Sequence, residues 1–272
     1  MADNRTDLAA KLPLLEAVAR RAGEIALAYF RPGARTSAEI TYKDGGSPVT
    51  EADFAVDRFL FEAAPALFPD AGWLSEETAD SAERLSHSRI FVVDPIDGTF
   101  AFSRGDTRWA VSIALIENGR PVLGVVHAPA MEATFTAAAG AGARLNGAAI
   151  RVSTRPSLDG ARIVAPRGLA GYFARSPHHF DLQTRTPSLA LRLADIASGR
   201  NDLAIASKDS RDWDIAAADV IVTEAGGVLS ELEGAPLRYN RPESRRDMLV
   251  AAPQSIFPES LALARAVSKG EI

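Results

Sequence analysis

Apolar residues recur at helical spacing from Asp7 to Phe30. Leu8, Leu12, Leu15, Val18, Ala22, Ile25 and Ala26 fall on one stripe, which predicts an amphipathic helix. Pro13 is expected to mark its true start, and Arg31-Pro32-Gly33 ends it. A short strand over Ile40 to Lys43 and a Gly45-Gly46-Ser47-Pro48 loop follow. Val56, Phe59, Leu60 and Ala63 form the stripe of a second helix, from about Glu51 to Leu67. Thr50 with Asp53 opens it as a variant capping box, and Pro65 points to an early end. Trp73-Leu74-Ser75-Glu76-Glu77 is then a short strand that ends in two acids.

Apolar and small residues alternate from Trp109 to Glu117, and Pro121 to Ala128 is again rich in β-formers. Asn118-Gly119 between them predicts a hairpin. Ala133 to Ala137 adds a strand, and Asn146-Gly147 another turn. The first part of the chain therefore predicts helices followed by a mostly antiparallel sheet. Pro156 to Gly160 is read as a joint between an N-terminal half, 1–155, and a C-terminal half, 156–272, of one catalytic unit. In the second half, strands are expected at Arg162 to Ala165, Leu203 to Ala206, Val228 to Glu231 and Met248 to Ala252. Helices are expected at Ser188 to Gly199, Asp214 to Ala225 and Pro258 to Val267, with Gly226-Gly227 as a C-cap.

The chain has 272 residues, 47% hydrophobic and 24% charged, enough to bury a sizeable core. Its net charge of −5 and the lack of a basic stripe argue against a nucleic-acid partner. Arg241, Arg245 and Arg246 are too few to change that. With no cysteine, disulfides and thiolate metal sites are excluded. No apolar run reaches ~18 residues, so no membrane span is expected. Met1 to Lys11 does not resemble a signal peptide, and the cytoplasm is the default location.

The candidate chemistry begins at Ile90, Phe91, Val92 and Val93, an apolar run suited to a strand buried on both faces. Pro95 is expected to stop its ladder, because it has no N–H to donate. Asp94 and Asp97 follow the run three residues apart, then Gly98 and Thr99. Two carboxylates about 4 Å apart repel by roughly 4 kcal/mol at an effective dielectric near 20. Protonation of one acid, or a cation between them, would offset this. Hard cations such as Mg²⁺ take carboxylate and carbonyl oxygens, and bare amides at Gly98 and Thr99 suit a phosphate. A capped turn is the plainer alternative. Asp53, the Glu76-Glu77 pair and Asp214 also stand where strands or helices begin or end. For Asp214, a helix N-cap is the plainer alternative. Strand alternation sends Glu77 to the face opposite Glu76.

Asp53, Glu76-Glu77, Asp94-Pro95-Ile96-Asp97-Gly98-Thr99 and Trp213-Asp214-Ile215-Ala216-Ala217 resemble, in order, the motif set of the inositol monophosphatase-like family. These are lithium-sensitive, Mg²⁺-dependent phosphatases. The family includes bisphosphate nucleotidases, histidinol-phosphate phosphatases and some fructose-bisphosphatases. Val49-Thr50-Glu51-Ala52-Asp53 and Glu224-Ala225-Gly226-Gly227 extend the match over nearly the whole chain. The resemblance implies an α/β fold, a layered αβαβα sandwich, and usually a homodimer. It implies that Glu76, Asp94 and the carbonyl of Ile96 hold one Mg²⁺, and Asp94, Asp97 and Asp214 a second. A third, weaker ion is implied near Glu76. Asp53 and Thr99, with Glu76, would orient and deprotonate the attacking water. Gly98 and Thr99 would receive the phosphate, with Asp97, Asp214, Ala190 and Ser207 bordering the substrate. Lys43 and Gly45-Gly46-Ser47 resemble a segment that closes over the metals.

The substrate is left open. Inositol phosphatases tend to carry an acid seven residues before the acid of the Trp-Asp motif, and here that position is Ser207. A small phosphate monoester such as inositol 1-phosphate is expected, with 3′-phosphoadenosine 5′-phosphate as the alternative. Arg167 and His178-His179 are candidate second-phosphate contacts. Lys208 and Asp209 are a solvated loop pair or a substrate contact. His127 is expected in or beside the sheet, not as a ligand. An aspartyl-phosphate phosphatase with Asp94 as nucleophile would place its second Asp two residues on, not three. A non-enzymatic binding module would have lost ligands, yet every expected acid is present.

Overall fold

The structure is a computed structural model that describes residues 2–43, 45–176 and 178–270, without the side chains of residues 2–6, 167 and 170. The first apolar stripe folds as helix α1 (Ala2–Tyr29), which runs through Pro13 instead of starting there. The turn before the proline is held from outside the helix. Leu8 is buried, and Lys11 Nζ donates to the Leu67 carbonyl at 2.6 Å. Those contacts offset the backbone bond that Pro13 cannot make. A two-stranded ribbon, β1 (Ile40–Tyr42) and β2 (Pro48–Thr50), leads into α2 (Glu51–Ala63). Pro65 does end that helix early, in a single tight turn over Ala64–Ala66.

The main sheet starts with β3 (Gly72–Ser75) and β4 (Arg89–Asp97), which run parallel. A short helix, α3 (Thr99–Ser103), follows β4 directly. β5 (Ala110–Glu117), β6 (Arg120–Ala128), β7 (Ala133–Ala138), β8 (Ala143–Leu145) and β9 (Ala148–Ile150) then extend the sheet antiparallel. Asn118 and Gly119 turn the β5–β6 hairpin with positive φ at both residues, as that dipeptide predicts.

A second sheet is built from β10 (Ala161–Val164), β11 (Phe180–Leu182), β12 (Leu203–Ala206), β13 (Gly227–Glu231) and β14 (Leu249–Pro253). Its order is β11-β10-β12-β14-β13, parallel at the β11 end and antiparallel at the β13 end. The remaining helices are α4 (Ala170–Phe173), α5 (Leu189–Ala197), α6 (Asp212–Glu224) and α7 (Phe257–Lys269). Among the described residues, no helix is long and apolar enough to cross a membrane.

Strand alternation sorts the layers. Phe91 and Val93 of β4 join a core with Leu15 and Ala22 of α1 and Val56 and Leu60 of α2. Ile90 and Val92 face the other way, against α5 and α6, which pack in turn on Ala204 and Ala251 of the second sheet. The far face of that sheet, with Ile205 and Val250, is covered by α7. The result is the αβαβα sandwich that the family resemblance implied. α6 is the middle of it and is buried on nearly every side. Its Ala216-Ala217-Ala218 run lets it lie close to β6. A β-carbon added at Gly124 would sit 2.5 Å from Ala217 O and from Val220 Cγ1. That contact fixes the depth at which the start of α6 meets the ends of β3 and β4.

Candidate metal centre and active site

Because β3 and β4 are parallel, their carboxyl ends leave the sheet at one edge. Ser75 pairs with Val93, and the Glu76 N–H donates to Val93 O at 3.2 Å, so Glu76 comes to lie beside Asp94. Pro95 does not stop the strand, contrary to the expectation from sequence. The ladder with β5 shifts register between Asp94 and Asp97 and resumes at Asp97–Ala110. A residue without an N–H fits where the ladder is already interrupted. Both carboxylates of this bulge are buried.

Asp214 arrives from the opposite direction, in the first turn of α6. Its Oδ2 accepts from the Arg211 N–H at 2.7 Å and closes the helix start, so the capping role is real. It is not the whole role. Carboxylate oxygens of Glu76, Asp94 and Asp214 all lie within 4.8 Å of one another. Burial, then Glu76, Asp97 and Asp214, hold the Asp94 carboxyl well above its ordinary pKa. Burial and then Asp97 do the same to Asp214. At that separation a pair repels by roughly 3 kcal/mol at an effective dielectric of 20. The sequence alone set a protonated acid against a bound cation, and a trio of this kind calls for one or the other.

Lys43 supplies one positive charge. Its Nζ lies 2.8 Å from Glu76 Oε1 and 2.7 Å from Glu77 Oε1. Burial pulls the Lys43 pKa down, but Glu76 and Glu77 more than offset it and the net shift is upward. Glu77 therefore does not face away from Glu76. Strand β3 ends at Ser75, and alternation ends with it. Burial raises Glu77 to about 7 against the pull of Lys43.

Asp97 stands beside the trio with one oxygen already engaged. Its Oδ2 accepts from Ser188 Oγ and from the Ala190 N–H, both at 2.6 Å. Burial raises its pKa, and these donors lower it. Ala190, expected to border the substrate, is fully buried and its N–H is given to Asp97. Ser188 was legible only as the start of a helix. Its hydroxyl accepts from the Leu191 N–H at 3.1 Å, as an N-cap does, while donating to Asp97.

Asp53 is the capping-box acid of α2: its Oδ2 accepts from Thr50 N–H at 2.8 Å and from Thr50 Oγ1 at 2.6 Å. Its Oδ1 faces Thr99 Oγ1 at 3.0 Å, and that hydroxyl is also 3.0 Å from Ile96 O. Burial pushes Asp53 up to about 6. The Ile96 N–H donates to Asp94 Oδ1 at 3.0 Å. Gly98 has φ +99, and a β-carbon there would lie 3.4 Å from Ser188 N and 3.5 Å from Arg108 O. Only glycine meets both limits without strain. Thr99 begins α3, where the first N–H groups have no carbonyl one turn back.

Other candidates fall elsewhere. Ser207 is exposed on the wall of a cavity of about 700 Å³ that begins one residue past Thr99. His178 and His179 border a separate hollow with no residue in common with the trio. The Arg167 side chain lies outside the described residues. Lys208 pairs with Asp247 and Asp209 with Arg245, both in solvent. His127 is buried in β6 with Nδ1 2.9 Å from Thr134 Oγ1, and burial lowers it to about 4.

The model of the inositol monophosphatase family matches residues 8–269. The chain is 36% identical over 191 residues to a fructose-1,6-bisphosphatase/inositol-1-monophosphatase of Thermotoga maritima, spanning 68% of this chain and 72% of that one. It is 32% identical over 236 residues to a 3′(2′),5′-bisphosphate nucleotidase CysQ of Aggregatibacter actinomycetemcomitans, spanning 84% of this chain and 86% of that one. A solved IMPase structure from Thermotoga maritima superposes with a TM-score of 0.83 at 29% identity, over 96% of this chain and 98% of that one.

Proposed function

Because the chain belongs to the inositol monophosphatase family and is a phosphoric monoester hydrolase, we propose that it cleaves a small phosphate monoester by attack of water at a Mg²⁺ centre of two or three ions. The observation that carries this is the trio of Glu76, Asp94 and Asp214 within 4.8 Å, Asp94 buried and the other two half-buried, beside Gly98 and Thr99. The donor set suits the metal: hard oxygens, no thiolate, and more negative charge than Lys43 offsets.

Glu76, Asp94 and the Ile96 carbonyl would hold one ion. Asp94, Asp214 and the remaining oxygen of Asp97 would hold another. A third would lie at Glu76, where Lys43 gives way. When bound, the ions neutralise the ester oxygens, acidify the attacking water and hold the leaving-group oxygen. Thr99 Oγ1 orients that water, and Asp53 takes its proton through Thr99. A base with a pKa of about 6 works well near neutral pH. The amides of Gly98 and Thr99 donate to the phosphate. Asp97 and Asp214 border the leaving group.

The substrate is a polyol or sugar phosphate of the inositol 1-phosphate type. A bisphosphate nucleotide is the second candidate, favoured by Ser207 where an acid would meet inositol hydroxyls. A homodimer, a cytoplasmic location and inhibition by lithium complete the proposal. Phosphate release from a panel of monoesters tests it. Turnover is expected with Mg²⁺ and should vanish with EDTA or in Asp214→Asn. Protein that releases no phosphate with Mg²⁺ or Mn²⁺ ends the proposal.

A further inference from the structure

Asp57 stands on α2 four residues past Asp53, a helical rise of about 6 Å, so both carboxylates leave one face of the helix. Val56 and Leu60 pack that helix against Phe91 and Val93 of β4 and fix it to the sheet. Asp53 uses this face to reach Thr99. Asp57 uses it to reach the end of β3. Its Oδ1 accepts from Ser75 Oγ at 2.5 Å, and its Oδ2 from Thr78 Oγ1 at 2.7 Å. The two hydroxyls bracket Glu76 and Glu77. One carboxylate thus grips the chain on both sides of the acids that meet Lys43.

The grip falls where the sheet lets go. β3 ends at Ser75, and among the described residues the Glu76 N–H to Val93 O bond is the last that this segment makes with β4. The Glu77 N–H turns back to Ser75 Oγ at 3.4 Å. Thr78 is already exposed, yet its hydroxyl is held by an acid that is only 8% exposed itself. Burying a carboxylate is costly unless donors satisfy it, and these two donors come from the turn that carries the ligand. A ligand whose backbone is fixed in advance has less freedom to lose when a metal binds. Resting on the metal centre proposed above, we infer that Asp57 is a positioning residue: through Ser75 and Thr78 it holds the Glu76-Glu77 turn where Glu76 can ligate.

Calorimetric titration with Mg²⁺ alone, without substrate, is the test. Asp57→Ala should raise the Kd for Mg²⁺ about tenfold or more, the usual cost of losing a group that orients a ligand. Thr78→Val removes one of the two hydroxyls and changes no charge, so it separates holding from electrostatic attraction. It should raise the Kd about threefold, and Thr78→Ser should restore it. With Mg²⁺ at saturation, kcat should return to within about twofold of wild type in these variants, because Asp57 acts only through the position of Glu76. Val56→Ala, the neighbouring buried position on α2, should lower Tm and leave the Kd alone. Thr78 is exposed, so its variants should fold even where Asp57→Ala does not. A Mg²⁺ affinity unchanged in Asp57→Ala or in Thr78→Val, or weakened as much by Val56→Ala, overturns the clamp while wild-type turnover keeps the phosphatase proposal. Wild-type protein that binds no Mg²⁺ overturns both.

Discussion

Asp94→Asn takes one charge out of the crowded centre and keeps the shape of the side chain. Its amide oxygen still accepts the Ile96 N–H, now 3.0 Å from Asp94 Oδ1. In the metal-free protein, Asp94 faces Glu76 and Asp214 within 4.8 Å. Each such pair costs roughly 3 kcal/mol at an effective dielectric of 20, a ceiling near 6 kcal/mol for the two. The raised pKa of Asp94 means that protonation already relieves much of this. A gain of ~2 kcal/mol in EDTA at pH 8 is expected, or about 5 °C in Tm for a chain of this size. The metal acts in the opposite direction. Mg²⁺ at a hundred times its Kd stabilises wild type by about 2.7 kcal/mol, and the variant should lose that gain. The two melting curves should therefore exchange order between EDTA and Mg²⁺, while phosphate release falls by about a thousandfold or more. Calorimetric titration showing wild-type Mg²⁺ affinity in the variant, or a lower Tm in EDTA, would refute the reasoning.

Two further substitutions probe α6. Burial pushes Asp219 up to about 6, although the Tyr239 hydroxyl donates to it at 2.9 Å. The folded state thus binds this proton more tightly than the unfolded chain does, and stability is lost as pH rises from about 4 through 6. The advantage of Asp219→Asn over wild type in urea denaturation should grow by ~2 kcal/mol between pH 4.5 and 7.5, and a pH-independent difference would count against it. Gly124→Ala forces a β-carbon to 2.5 Å from Ala217 O and should cost ~1–3 kcal/mol of stability. By lifting α6 it should also raise the Mg²⁺ concentration needed for half-maximal activity; a lowered Tm with an unchanged Mg²⁺ requirement would detach the two.

The legible parts of this fold are those where pattern and local chemistry agree. The apolar run at Ile90 to Val93, the Asn118-Gly119 turn and the acids at the carboxyl ends of β3 and β4 all read directly. Some short elements read, such as Ile40–Tyr42, and others did not. Phe180–Leu182 is only three residues long and half solvated, and Thr99–Ser103 has too few residues to show a period. Prolines were weighted too heavily at Pro13 and Pro95, where a buried Leu8 and a register shift absorb the lost bond. Glu77 was misplaced because alternation was carried past the last paired residue. Arg104 and Arg185, which line the same cavity as Ser207, are eighty-one positions apart, and nothing in their local sequence says that they meet there.

β3 and β4 are the parallel pair of a sheet whose other described pairings are antiparallel, so the chain between them must travel back along the sheet before it can start again. Glu76 lies where that detour begins and Asp94 near the far end of the strand that follows it, and they owe their meeting to strand register. Length changes inside the detour, after Thr78 and up to Ser86, would leave their meeting intact. One residue inserted within Gly72–Ser75 would swing Glu76 to the wrong side of the sheet and leave a folded protein without its chemistry. Tolerance and intolerance to the same kind of genetic change thus sit within a handful of codons of each other.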